Sequence, residues 1–356
     1  MLPTSSPDAF GLITCKAFNS SKHLDHLDFI TVLVSNMHTP LLILAWRRPY
    51  ALRQVIDAIR PLAPARLFVA CDGPNLERPG ESEKVAATRA VIETEIDWPC
   101  QLERFYSDVN QGCFLGVSRA ITWFFEQVEE GIILEDDCVP HTDFFDYCTT
   151  LLERYRYDMR VWCISGNNFQ NGHWRGDGSY YFSRYNHCWG WASWRRCWQH
   201  FDADLSYWPP LRDSGLLNAI FEDSLEVTYW SRIWQRLVVE GHPDSWAYRW
   251  TFTCLANGGL TALPNRNLVN NVGFGEDATH TTGGSINTSF SEGIDPNQHP
   301  SFLLRDAVAD RYTFDHVFGG KWQRFPLSLI RLPKRVIVST LRKMKNIFPP
   351  SLPDES

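Results

Sequence analysis

Gly131-Ile132-Ile133-Leu134-Glu135-Asp136-Asp137-Cys138-Val139-Pro140, continued by His141-Thr142-Asp143-Phe144-Phe145, is the stretch whose reading decides the fold. Three apolar residues run into three consecutive carboxylates, and Pro140 forbids further strand. So short an apolar run, bounded by Gly and Pro, predicts a buried strand with Glu135, Asp136 and Asp137 at its carboxyl end. In open α/β sheets that end is where ligands bind. Adjacent carboxylates repel, and burying them is costly unless a cation or hydrogen-bond donors compensate. Hard oxygen ligands suit Mg²⁺ or Mn²⁺, which commonly bridge a protein carboxylate to a substrate phosphate. A solvated acidic turn is the competing reading; the strand in front and the proline behind favour a metal–diphosphate site.

Outward from this stretch the pattern is α/β. Leu41 to Ala45 reads as a first strand, Tyr50 to Ile59 as a helix with Leu52, Val55, Ile56 and Ile59 on one face. Arg66 to Ala70 is a second strand ending in the turn Cys71-Asp72-Gly73-Pro74, Ser82 to Ile96 a helix, and Cys100 to Tyr106 a third strand. Asn110-Gln111-Gly112 reads as a loop before a helix over Val117 to Val128. Beyond the acidic strand come a helix from Phe144 to Tyr157 and a strand from Val161 to Ser165. Strands alternating with helices predict a parallel, doubly wound sheet. Asn167 to Trp198 changes character, with Trp174, Trp189, Trp191, Trp194 and Trp198 set among Gly, Asn and Tyr, and reads as an acceptor-facing region on the same sheet. Helices over Leu225 to Glu240 and Trp246 to Ala256, then an edge strand at Leu260 to Leu263, complete the pattern.

The chain has 356 residues, a net charge of −7, 44% hydrophobic and 21% charged residues, which describes a soluble globular protein with a sizeable core and argues against nucleic acid as its partner. Its 15 Trp, 12 Tyr and 22 Phe are core packing for the most part, or platforms for sugar rings. Ten cysteines without a C-x-x-C pair point to reduced thiols and a cytoplasmic location. No signal peptide is expected, since Met1 to Asn36 has neither a basic n-region nor a continuous apolar h-region, and no run of eighteen apolar residues occurs to suggest a spanning helix. Residues 1–36 read as a poorly ordered extension or an over-called start. The domain is expected over 37–300, followed by a basic tail over 301–356. In that tail Ile337, Leu341, Met344 and Phe348 share a helical face, with Lys334, Arg335, Arg342 and Lys345 off it. Such a helix either docks on the domain or lies peripherally on the inner face of a membrane through 334–348.

Strand, Arg-bearing turn, Asp-Gly turn, N-x-G loop and Ile-Ile-Leu-Glu-Asp-Asp at a strand end together resemble a GT-A nucleotide-sugar glycosyltransferase. The pattern is most similar to the N-acetylglucosaminyltransferase I type and to bacterial proteins of similar layout, over roughly residues 40–285. Glu-Asp-Asp followed by Asp143-Phe144-Phe145 is its more specific part. The resemblance implies a mostly parallel sheet flanked by helices and a metal-dependent transfer of sugar from a UDP-sugar to a glycan or glycolipid hydroxyl, with inversion. It implies Asp137 as the ligand of Mn²⁺ or Mg²⁺, with Glu135 and Asp136 on the sugar and ribose. It further implies Arg48 near the diphosphate, Asp72 on the uracil ring, and a loop with Phe274-Gly275 and His280 closing over the donor.

One departure stands out. The family's general base is the second Asp of Asp-Asp-Trp, and this chain reads Asp244-Ser245-Trp246. Asp244 is the substitute expected here, with Glu240, Glu276 and Asp277 in competition. Trp189-Gly190-Trp191 is similar to an acceptor motif of galactosyltransferases, lacks the acids that follow it there, and is expected to offer an acceptor platform. Two other classes compete: a sugar nucleotidyltransferase, which needs a Gly-rich loop where Trp46-Arg47-Arg48-Pro49 stands, and a non-catalytic, membrane-associated glycan-binding protein.

Overall fold

The computed structural model describes residues 37–273 and 293–324. The expected extension over 1–36, the loop residues Phe274, Gly275, Glu276, Asp277, His280, Gly283 and Gly284, and the tail helix over 334–348 lie outside them.

In chain order the elements are β1 (Leu41–Ala45), α1 (Pro49–Ile59), β2 (Arg66–Cys71), α2 (Glu81–Glu95), β3 (Gln101–Tyr106), α3 (Gly112–Gln127), β4 (Glu130–Glu135), β5 (Cys138–Pro140), α4 (Thr142–Tyr155) and β6 (Val161–Ser165). There follow β7 (Tyr180–Ser183), β8 (Trp191–Trp194), the short α5 (Arg195–Trp198), α6 (Trp208–Asp213) and α7 (Leu217–Ile220), then α8 (Ser224–Glu240), α9 (Ala247–Ala256), β9 (Leu260–Pro264), β10 (Val269–Asn271) and α10 (Ala307–His316).

Eight strands form one sheet in the order β3-β2-β1-β4-β8-β6-β9-β7. β1, at the centre of the first half, is buried along its whole length, and its Leu41 pairs with Leu67 of β2 on one side and Ile132 of β4 on the other. Near-continuous apolar strands are what a sheet covered on both faces requires. Helix α1 supplies one cover, with Leu52, Val55, Ile56 and Ile59 all fully buried at helical spacing.

The sheet is mostly parallel, as expected, with antiparallel members on one side: β8 pairs antiparallel with β4 and β6, and β7 antiparallel with β9. Parallel neighbours need a crossover connection, usually a helix, and residues 166–190 contain none. The edge expected at Leu260 falls elsewhere. β9 lies inside, between β6 and β7, and β7 is the edge. Pro140 does not end the acidic strand. β4 stops at Glu135, and after a turn Pro140 closes β5, which pairs with β10 through Pro140 to Val269 and Cys138 to Asn271.

The aromatic excess is mainly core. Trp191 is 1% exposed and stacks on Trp246 at 5.6 Å, with Trp198 and Trp250 around them. A second cluster collects Trp208, Trp230, Trp234, Phe252 and Phe314. Phe314 belongs to α10, so this helix, within the expected basic tail, packs into the core. A buried ion pair from Arg184 to Asp310 (3.0 Å) fastens the same helix, and Arg305 bridges to Phe182 of β7. The nine described cysteines are free, six of them buried. No described helix is long and apolar enough to cross a membrane.

Candidate active site

β1, β2, β3, β4 and β6 run in one direction, so their carboxyl ends share one edge of the sheet, and the amino end of β8 meets the same edge. A cavity of about 710 Å³ opens there, lined by residues following each of these strands. Its size is that of a small-molecule pocket.

The acidic turn sits at the middle. Arg48, just past β1, donates from Nη2 to Asp136 Oδ1 and from Nη1 to Asp137 Oδ2, both at 2.5 Å. The Trp46 amide donates to Asp136 Oδ2 at 3.1 Å. Asp136 is 1% and Asp137 6% exposed. Arg47 turns away to the buried Glu81 at 2.9 Å, leaving Arg48 alone to face the acids from this turn. Val272, after β10, donates its amide to the Asp137 carbonyl, and Gly273 lies so close that a Cβ would stand 2.0 Å from Asp137 Oδ2. Gly273 is therefore demanded by close approach rather than by backbone freedom.

Burial pushes the Glu135 carboxyl up to about 8; the charge of Asp137 adds to this, and Arg48 opposes it. The same carboxyl accepts from the Trp246 indole. Burial likewise raises Asp136 against the pull of Arg48, and the Arg48 guanidinium is held well above its usual range by the acids despite its burial. Three carboxylates thus face one guanidinium. The excess negative charge in a sheltered cavity is what a divalent cation neutralises, and the donors are hard oxygens, so the residues fit Mg²⁺ or Mn²⁺ chemically. Among the described residues no group of three metal-ligating side chains occurs.

Three of the expected site residues have partners within the fold. Arg48 is engaged by the carboxylates of Asp136 and Asp137. Asp72 lines the cavity, but its oxygens accept from the amides of Gly73 (2.8 Å) and Gln111 (3.0 Å) and from Asn110 Nδ2 (3.0 Å), so its acceptor capacity holds the loop in front of α3. Burial raises its carboxyl, with those amides pulling the other way. Asp244 lines the cavity and accepts from the Cys113 amide at 2.8 Å and the Phe114 amide at 3.1 Å, which makes it a cap of α3. Its competitor Glu240 is outside the cavity, paired with Arg236 on the surface of α8.

Asp244→Ala is accordingly expected to lower stability by about 1–2 kcal/mol, read as a shift of the urea midpoint at constant slope. An unshifted midpoint would remove the capping role.

On the aromatic side the expected pair divides. Trp191 is inside the core and presents no face to an acceptor, whereas Trp189 is half-buried and lines the cavity. Asn167 and His187, which the sequence does not mark out, line it as well. Asn167 is two residues past the end of β6, the same kind of position that Asp137 holds after β4, and that placement is the signal that finds it.

No model of a known protein family matches the chain, and no curated protein matches it. Among solved structures it is similar to HddC from Yersinia pseudotuberculosis, at 8% identity over 46% of this chain and 80% of that one, with a TM-score of 0.29. It is also similar to the glycosyltransferase GlyE of Streptococcus pneumoniae TIGR4, at 12% identity over 58% of this chain and 52% of that one, with a TM-score of 0.25. Likeness at that level carries no weight for activity, so function is argued from the cavity.

Proposed function

We propose that the chain is a metal-dependent glycosyltransferase that uses a nucleoside diphosphate sugar, a UDP-sugar by the resemblance of its motifs, and a glycan or glycolipid hydroxyl. The observation that carries this reading is the gathering of Arg48, Glu135, Asp136 and Asp137 at the carboxyl edge of the sheet, around one cavity that turns aromatic and uncharged toward Trp189.

In the reaction the bond from the anomeric carbon to the diphosphate oxygen breaks, and a bond to the acceptor oxygen forms. The acceptor proton goes to a base and the diphosphate leaves with the electron pair. Asp137 would hold Mn²⁺ or Mg²⁺, and the ion would neutralise charge on the leaving diphosphate. Arg48 bridges the two aspartates and offsets their repulsion, which lets a buried acid pair persist. Glu135, anchored by Trp246, supplies an uncharged or charged oxygen to a sugar hydroxyl according to pH. The nucleobase would lie against Phe105, near the end of β3, and Ser107 and Asn110 just past it. No proton is assigned to Asp244, whose oxygens cap α3.

Calorimetry with UDP and ADP in the presence of Mn²⁺, followed by assay of UDP release from a panel of UDP-sugars, tests the proposal. Tighter binding of UDP and slow release of UDP to water are expected. Equal affinity for the two nucleotides, with no release from any sugar nucleotide, defeats it.

A further inference from the structure

We infer that Arg78, in the loop after β2, binds the phosphates of the nucleoside diphosphate from the rim of the cavity. This deepens the transferase reading and rests on it for the identity of the nucleotide.

Among the described residues two guanidinium groups line the cavity, Arg48 and Arg78, against five carboxyl groups, three of them in the acidic turn. A diphosphate entering such a surplus of negative charge needs cations around it. One divalent ion leaves a nucleoside diphosphate still anionic. Arg48 is outweighed by the acids it already bridges. Arg78 is placed differently. Its side chain is 56% exposed, and its charge partner among the described residues, Glu81, stands at 3.6 Å, beyond hydrogen-bond reach. The fork of N–H donors is therefore open to an anion.

Glu81 is committed elsewhere. Its Oε2 accepts from Arg47 Nη1 at 2.9 Å and its Oε1 from the Asn75 amide at 2.7 Å. One buried carboxylate thus serves two guanidinium groups, and this corner keeps a net positive charge. The shared oxygen also locates the head of Arg78. It lies beside Arg47, the neighbour of Arg48 in the turn past β1.

Strand order gives that position its meaning. β2 and β1 stand between β3, whose end would receive the nucleobase, and β4, which leads into the acidic turn. Phosphates that join a base at one side to a metal at the other must pass the β2 loop and the β1 turn. The loop itself is fixed. Arg78 donates its amide to the Asn75 carbonyl at 3.0 Å, Asn75 Oδ1 accepts from the Glu77 amide at 3.0 Å, and the Asn110 amide donates to the Pro74 carbonyl at 3.2 Å. A held backbone with an open guanidinium suits two-point contact with phosphate oxygens.

The test is calorimetry on the full chain with Mn²⁺ against UDP, UMP and uridine, at rising KCl. Arg78→Gln removes the charge and most of the fork; Arg78→Lys keeps the charge alone. Arg78→Gln is expected to weaken UDP roughly tenfold to a hundredfold, to weaken UMP less, and to leave uridine unchanged. It should also flatten the salt dependence of UDP binding, and Arg78→Lys should recover part of the loss. The thermal midpoint should hold, since an exposed pair of this kind adds little to stability. UDP affinity and salt dependence equal to wild type in Arg78→Gln overturn the inference and leave the transferase reading standing. Equal weakening of UDP and uridine overturns the phosphate role as well. Arg78-dependent UDP binding without release of UDP from any sugar nucleotide keeps the phosphate site and removes the transferase. A wild type that binds no UDP overturns both.

Discussion

Arg48→Met is expected to cost the metal-free protein roughly 3–5 kcal/mol at pH 8, the scale for stripping a buried ion pair of one partner. Among the described residues Arg48 is the only guanidinium in direct contact with Asp136 and Asp137, and methionine replaces its stem without its charge. The loss should shrink in acid. Glu135, normally near 4.5, is raised to about 8 in the fold, and Asp136 is raised as well. A carboxyl with a raised folded-state pKa binds its proton more tightly folded than unfolded. Its stabilising contribution is full below the unfolded value and is lost as pH rises through the folded one. The wild type in EDTA should therefore lose stability between about pH 4.5 and pH 8. Arg48→Met should steepen that fall by pushing the acids higher, and Glu135→Gln should flatten it. Urea midpoints across this range decide the matter. Parallel curves for wild type and Arg48→Met would show that the guanidinium does not hold the acids in place.

Much of the fold is legible because the burial pattern of each element is local. Leu41 to Ala45 and Val161 to Ser165 are strands with the bounds the sequence predicts, and the buried face of α1 is the expected one. The acidic turn is legible for the same reason, since the apolar run stops where the carboxylates begin. What is not legible depends on distant segments. Helix α3 starts at Gly112, five residues before the expected Val117. Its first amides are capped by Asp72, 39 positions from Gln111, and by Asp244, 131 positions from Cys113. A local search for a capping residue finds only Gln111, which gives no side-chain cap. The same contacts explain why Asp72 and Asp244 invite functional readings: both are acids at the cavity wall, and the structural demand on them is invisible until α3 is in place. Trp191 misleads in the opposite way. Its Trp-Gly-Trp setting suggests an exposed platform, but Trp191 lies under Trp198, Trp246 and Trp250, and those rings come from segments distant in sequence.

Asp137→Asn is expected to reduce transfer from a UDP-sugar by about a hundredfold or more, the scale for losing one preorganised charge contact in a sheltered site, while the protein stays folded. The side chain keeps its shape, and an amide oxygen can still accept from Arg48. Removing one of three adjacent negative charges also relieves repulsion, since the charge of Asp137 is among the causes that raise both Glu135 and Asp136. Stability of the metal-free variant should thus hold or rise as activity falls. That opposition separates a functional carboxylate from a structural one, because Asp244→Ala should lower stability through the loss of its two helix amides. The decisive measurement pairs UDP release as a function of Mn²⁺ concentration with a urea midpoint on the same preparation. Full Mn²⁺-dependent turnover by Asp137→Asn would remove this residue as the ligand and move the metal elsewhere in the cavity. A collapse of stability would show instead that the Arg48 pair is what the fold requires of Asp137.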